Sequence, residues 1–116
     1  MHELAVTESI LNIALEEAEK NEAIHVDKIC IVMGEMSTFL PECIQEYFNL
    51  LSEDTVAHGA LLEFEKEAAM LQCKNCHHRF HLEHMQFRCP ACDSLEVEII
   101  SGKDFYVSRL DLETPD

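Results

Sequence analysis

Two Cys-x-x-Cys pairs constrain this chain more than anything else in it. Cys73-Lys-Asn-Cys76 and Cys89-Pro-Ala-Cys92 stand with 12 residues between them. Two residues between thiols let one tight turn aim both sulfurs at a single ion. A hairpin that brings two such turns together completes a tetrahedron. Zn²⁺ accepts four thiolates at about 2.3 Å and has no redox chemistry, so a shell closed by Cys73, Cys76, Cys89 and Cys92 is a structural site. So short a segment cannot hold itself together by apolar burial, and metal binding supplies its folding free energy. Iron in a rubredoxin-like site and a thiol–disulfide redox pair are rival readings of the same spacing.

The segment 73–100 around these pairs differs from the rest of the chain. It holds four Cys and four His and few aliphatic residues before Val97, Ile99 and Ile100. It reads as a small zinc-binding domain, 73–100, inserted into an α/β domain made of 1–72 and 101–116. His77, His78, His81 and His84 lie between the pairs. They read as a solvated loop and hairpin face, with a second metal or an exchange with a cysteine ligand as the sharper alternative. His77, beside a ligand cysteine, is the first candidate for contact with the site. Side chains that titrate near pH 6.5 predict a pH-sensitive module. Cys30 and Cys43 lie outside the pairs and read as buried, inert small hydrophobes.

The remaining sequence alternates between periods. Residues 3–20 form an amphipathic helix, with Leu4, Leu11, Leu15 and Ala18 on one stripe and Val6, Ile10, Ile13 and Ala14 widening it. Ile29 to Met33 is a β-rich apolar run, opened by Val26 and ended by Gly34. Pro41 suits a first helical position. Ile44, Tyr47, Phe48 and Leu51 follow at helical spacing over 41–54, and His58-Gly59 closes the connection. Residues 60–71 then alternate, with Leu62, Phe64, Ala68 and Met70 inward and Glu63, Glu65 and Glu67 outward, which predicts one half-exposed strand. Strand, helix and strand with short connections predict a parallel pair with a right-handed crossover. A last strand over about 104–112, with Tyr106, Leu110 and Leu112 on one face, joins the same sheet. The expected fold class is α+β or α/β: a small mixed three-stranded sheet with two helices, carrying an inserted zinc-ribbon-like module of four cysteines.

Charge narrows the partners. With 8 Lys and Arg against 23 Asp and Glu, the 116-residue chain has a net charge of −15. Phosphate backbones and anionic membrane surfaces are therefore poor partners, and cations or basic protein faces are better ones. No apolar run approaches the ~20 residues that span a bilayer. The acidic N-terminal stretch does not read as a secretory signal. The expected compartment is the cytoplasm, where thiols stay reduced. The expected state is a monomer or weak dimer. There is no Gly-rich phosphate loop, no Ser/His/Asp order worth pursuing and no His-Glu-x-x-His helix. The chain is not expected to be an enzyme.

The chain starts Met1-His2-Glu3. A free α-amine, with a pKa near 7.7–8.0, can lose its proton and ligate a metal. The amine, the intervening amide nitrogen and the imidazole can then surround one ion, and such near-planar nitrogen sets suit Ni²⁺ or Cu²⁺. On spacing alone this is a weak signal. A second-position His is commonly just exposed.

Met1-His2-Glu3-Leu4 running into an amphipathic helix, a strand ending at Gly34-Glu35, and the double Cys-x-x-Cys module resemble the HypA family. These are the nickel-insertion accessory proteins of [NiFe]-hydrogenase maturation, which serve urease in some bacteria. The resemblance spans essentially the whole chain. It implies that His2 is the essential nickel ligand, joined by the Met1 amine and the backbone nitrogens of His2 and Glu3. It implies structural zinc on Cys73, Cys76, Cys89 and Cys92. Some members recruit an acidic side chain after the Gly-Glu strand end; here Leu40 cannot ligate, and Glu35 and Glu42 are the candidates. The implied partners are the GTPase HypB, the hydrogenase large-subunit precursor and, in some bacteria, urease accessory proteins. A zinc-ribbon adaptor that binds only protein is the second reading; it leaves the Met-His-Glu start unexplained.

Overall fold

The computed structural model describes residues 3–115. Met1 and His2, the expected core of the nickel site, lie outside them. The chain divides into two compact units. The first holds the chain up to Ile31, Thr38–Glu65 and Tyr106 onward; the second holds Val32–Ser37 and Lys66–Phe105. The second unit extends past the cysteine-bearing segment on both sides.

In the first unit, α1 (Glu3–Lys20) and α2 (Pro41–Leu51) pack on one another. Pro41 opens α2, as its missing N–H and fixed φ favour. Helix α1 buries Val6, Thr7, Ile10, Leu11, Ala14 and Ala18. This face is rotated from the expected stripe: Leu4 and Ile13 are exposed, and Thr7 is fully buried. A buried hydroxyl is tolerated because Thr7 Oγ1 donates to the Glu3 carbonyl, 2.6 Å away, inside the helix. In α2, Ile44 and Phe48 are fully buried, while Tyr47 and Leu51 face solvent. The helix ends at Leu51, with Ser52 as its C-cap, rather than running to 54.

The strands are β1 (His25–Gly34), β2 (Leu61–Glu67), β3 (Met70–Cys73), β4 (Arg79–His81), β5 (Val97–Ser101) and β6 (Phe105–Glu113). They form two three-stranded sheets, ordered β2-β1-β6 and β4-β3-β5. The first is mixed. Lys28 reaches Glu63, and the Glu35 N–H donates to the Glu67 carbonyl, so β1 and β2 advance together. Ile24 N–H donates to the Glu113 carbonyl and Gly34 N–H to that of Asp104, so β1 and β6 run in opposite directions. Helix α2 is tied to β2 by Gln45, whose Oε1 accepts the Leu62 N–H at 3.0 Å. Tyr106 is exposed rather than inward.

The period-two run 60–71 is two strands, not one. Leu62 is buried on β2, but Ala69 and Leu71 are the buried residues beyond it, and Ala68 is exposed. The inward phase slips by one residue at Ala68-Ala69, where the chain leaves one sheet for the other. A one-residue slip turns every following side chain over.

In the second unit β3 is the central strand, antiparallel to both β4 and β5. Ala69, Leu71 and Leu82 form a small core, with Met36, Phe80, Val97 and Ile99 packed against it. Gly34 and Gly102 allow backbones to meet beside it. A Cβ on Gly34 would stand 2.2 Å from the Gly102 carbonyl oxygen. Gly102 has φ +94°, and its Cβ would stand 2.3 Å from Ala69 Cα. Gly34→Ala is therefore expected to destabilise the protein by about 2 kcal/mol or more. Urea denaturation reads this directly, and an unchanged midpoint would mean that the backbone yields.

Candidate metal centre

Cys73 ends β3, and Cys76 follows in the turn after it. Cys89 and Cys92 sit in a second turn before β5. The two turns are built alike. In the first, the Asn75 and Cys76 N–H groups point at Cys73 Sγ at 3.3 and 3.4 Å. In the second, the Ala91 N–H points at Cys89 Sγ at 3.4 Å. His77 N–H closes on the Cys73 carbonyl, and Asp93 N–H on that of Cys89. His77 and Asp93 both adopt left-handed φ, +64° and +66°. That turns the chain away after each second cysteine.

The two turns bring all four sulfurs within 4.8 Å of one another. Cys73 and Cys92 are 3.5 Å apart, and Cys76 and Cys89 are 3.6 Å apart. Four sulfurs around an ion at about 2.3 Å would lie about 3.8 Å from each other, so the set fits a tetrahedral ion. All four are free thiols with no disulfide between them. Cys73 and Cys89 are buried and Cys76 and Cys92 exposed, so the cluster has one wet edge.

The thiols are poised unequally. The Cys76 N–H, with that of Asn75 and two neighbouring sulfurs, pulls Cys73 down to about 6 against the cost of burial. For Cys76 the His78 N–H works in the same direction. Burial and the three surrounding sulfurs outweigh it and push Cys76 up to about 12. The proton is therefore held more tightly on Cys76 than on Cys73, and a cation that recruits Cys76 must displace it.

None of the four histidines between the pairs joins the sulfur cluster. His78 stacks on Phe80, with ring centroids 6.0 Å apart. His81 makes a contact the sequence did not reveal. Its Nε2 meets Glu35 Oε1 at 2.7 Å and its Nδ1 meets Glu83 Oε1 at 3.2 Å. The Ala69 N–H also donates to Glu35 Oε1, at 2.8 Å. The carboxylate of Glu35, one of the two acidic candidates after the strand end, is therefore engaged by Ala69 and His81.

The Ala69 N–H and then His81 hold Glu35 below the usual carboxylate range; Glu35 and then Glu83 hold His81 above the usual imidazole range. A lowered Glu contributes stability above its ordinary pKa and loses it as pH falls through the lowered value. A raised His contributes below its ordinary pKa and loses it as pH rises through the raised value. The contact is strongest between the ordinary values of 4.5 and 6.5. Amide exchange should show Ala69 protection weakening as pH rises through the His81 titration, and His81→Gln should remove that dependence. The same profile in both proteins would show that His81 does not hold the contact.

A family profile described as "Hydrogenase/urease nickel incorporation, metallochaperone, hypA" matches residues 1–112. The chain belongs to the HypA family. The hydrogenase maturation factor HypA of Caldanaerobacter subterraneus subsp. tengcongensis is 38% identical over 114 residues, covering 97% of this chain and 100% of that protein. That of Aquifex aeolicus is 34% identical over 113 residues, covering 97% and 98%. Among solved structures, the Ni metallochaperone HypA from Helicobacter pylori matches with a TM-score of 0.69 at 26% identity, covering 98% of this chain and 99% of that one. A second HypA solution structure matches with a TM-score of 0.76 at 28% identity, covering 97% and 96%. The two helices, small sheets and four-cysteine cluster agree with the HypA arrangement of a nickel domain and a zinc-ribbon module. Both relatives are named as hydrogenase maturation factors. Among the described residues, no helix is long and apolar enough to cross a membrane.

Proposed function

We propose that this chain is a cytoplasmic nickel metallochaperone that delivers Ni²⁺ during [NiFe]-hydrogenase maturation. Nickel binds at Met1, His2 and Glu3, and Zn²⁺ binds on Cys73, Cys76, Cys89 and Cys92. The observation that carries this reading is a family match that begins at residue 1 and so takes in Met1-His2-Glu3.

The described start of α1 supports it. Glu3 is the first residue of the helix, and first-turn amide nitrogens take no part in the i→i−4 ladder. The Glu3 nitrogen is therefore spare for a metal. Glu3 Oε2 accepts the Leu40 N–H at 3.3 Å, which holds the helix start against the chain ahead of α2. The amine of Met1 and the imidazole of His2 supply the other nitrogens. A small set with few preformed ligands binds on the order of micromolar. Binding of that strength suits a carrier, because delivery needs ligand exchange.

Zinc is the ion of choice for the four sulfurs because its role there is closed and structural. The partners are the GTPase HypB and the hydrogenase large-subunit precursor, with urease accessory proteins where the host makes urease. A chain with no nucleotide loop borrows GTP hydrolysis from a partner. The test is complementation of a hydrogenase-producing bacterium that lacks its own HypA. The wild-type chain should restore hydrogenase activity and the His2→Ala variant should not. Equal restoration by both would favour the zinc-ribbon adaptor reading.

A further inference from the structure

We infer that His25, Asp27 and Glu113 form a second divalent-cation site in the first unit, taking a first-row ion through one imidazole nitrogen and two carboxylates. The site shares no residue with Met1-His2-Glu3 or with the four cysteines, and it does not depend on the function proposed above.

The sheet builds it. His25 and Asp27 are two apart on β1, so they project to the same side. Glu113 ends β6, and the backbone bond from Ile24 N–H to the Glu113 carbonyl, 2.8 Å, places it beside them. One ligand atom from each residue lies within 4.8 Å of the others. The side chains of His25 and Asp27 are 37% and 54% exposed, so an ion can reach them from solvent.

The imidazole is already oriented as metal-binding histidines are. His25 Nε2 lies 2.9 Å from the His58 carbonyl oxygen. A carbonyl only accepts, so Nε2 carries a hydrogen there. Histidine ligands commonly donate their second N–H to a carbonyl or carboxylate in this way, fixing the tautomer and turning the other nitrogen to the metal. That other nitrogen, Nδ1, lies 2.7 Å from Asp27 Oδ1. With Nε2–H committed, Nδ1 and the carboxylate are two electron-pair donors facing one another, and a cation must lie between them. A proton satisfies the pair alone. A metal ion also engages Glu113, which a single proton between Nδ1 and Oδ1 leaves unused. Ligands about 2.1 Å from an ion at right angles stand about 3 Å apart, so the pair needs to open only slightly. Two carboxylates and one imidazole leave several positions to water, a set that suits Mn²⁺, Fe²⁺ or Ni²⁺. In a chain of net charge −15 such an ion also relieves carboxylate repulsion.

Mn²⁺ is the discriminating probe, since it favours oxygen and imidazole over thiolate. It would be titrated into zinc-loaded, ¹⁵N-labelled full-length protein at pH 8. The amides of Ile24 to Asp27, His58 and Glu113 are expected to broaden first. Asp27→Asn and Glu113→Gln should each weaken that broadening about tenfold or more. Both keep side-chain shape, and an undisturbed spectrum without Mn²⁺ establishes that each variant is folded. Broadening spread equally over other carboxylates, such as Glu63, Glu65 and Glu67, would overturn the assignment. So would broadening around His25 that neither variant changes.

Discussion

Cys73→Ser is expected to cost this protein its zinc and the folded state of its second unit. The unit's fully apolar core is small, with Ala69, Leu71 and Leu82 at its centre. A core of that size does not offset the conformational entropy of ordering the segment around it. Structural zinc supplies on the order of 10–16 kcal/mol in comparable small domains, and most of that is folding free energy. Cys73 is also the sulfur that the turn prepares best. It is buried, receives the Asn75 and Cys76 N–H groups, and has the lowered pKa. Serine keeps the volume and the hydrogen bonds but is a poor zinc ligand. In ¹H–¹⁵N spectra, the resonances of residues 66–105 should lose dispersion while those of α1 and α2 stay in place. A strong chelator acting on the wild type should reproduce the change. A well-dispersed, zinc-free Cys73→Ser spectrum would show that apolar packing holds the unit. Visible absorption from the purified wild type would mean iron rather than zinc on the sulfurs.

Local chemistry was legible in the sequence because its signals are local. Two residues between cysteines set each turn, and the structure closes both into one sulfur cluster. Glu3–Lys20 has the expected helix limits, Pro41 opens α2 and Gly34 ends β1. The mixed three-stranded sheet follows from a strand–helix–strand order and a late strand joining the same sheet. Periodicity failed where two faces or two sheets compete. Helix α1 has apolar residues nearly all round, so its pattern could not tell the Thr7–Ile10–Leu11–Ala14–Ala18 face from the neighbouring one. Residues 60–71 alternate smoothly, but a phase slip at Ala68-Ala69 leaves no mark when both residues are alanine.

Long-range contacts were not legible at all. Glu35 and His81 are far apart in sequence, and neither carries a motif. They meet only because Glu35, just after β1, and His81, on β4, belong to the same compact unit. His25, Asp27 and Glu113 are joined by the pairing of the first and last strands. A His-x-Asp on a strand is a hint of a site only once its neighbouring strand is known.

A cargo site at the N-terminus makes nickel binding depend on His2, and a nickel titration reads that dependence. The measurement is calorimetry with Ni²⁺ on zinc-loaded protein that begins at its own Met1, beside His2→Ala. Removing the imidazole deletes a nitrogen donor and the anchor that stabilises the deprotonated amides around the ion. The Kd is expected to rise at least about a hundredfold, a loss of roughly 2.7 kcal/mol. Zinc content should be unchanged, because Cys73, Cys76, Cys89 and Cys92 already make a complete tetrahedral set. Residues added before Met1 should have a similar effect, since they convert the amine into an amide. Tight Ni²⁺ binding lost in His2→Ala with zinc retained is the predicted result. Nickel binding of equal affinity in His2→Ala would rule out the N-terminal site and move the cargo site elsewhere in the chain.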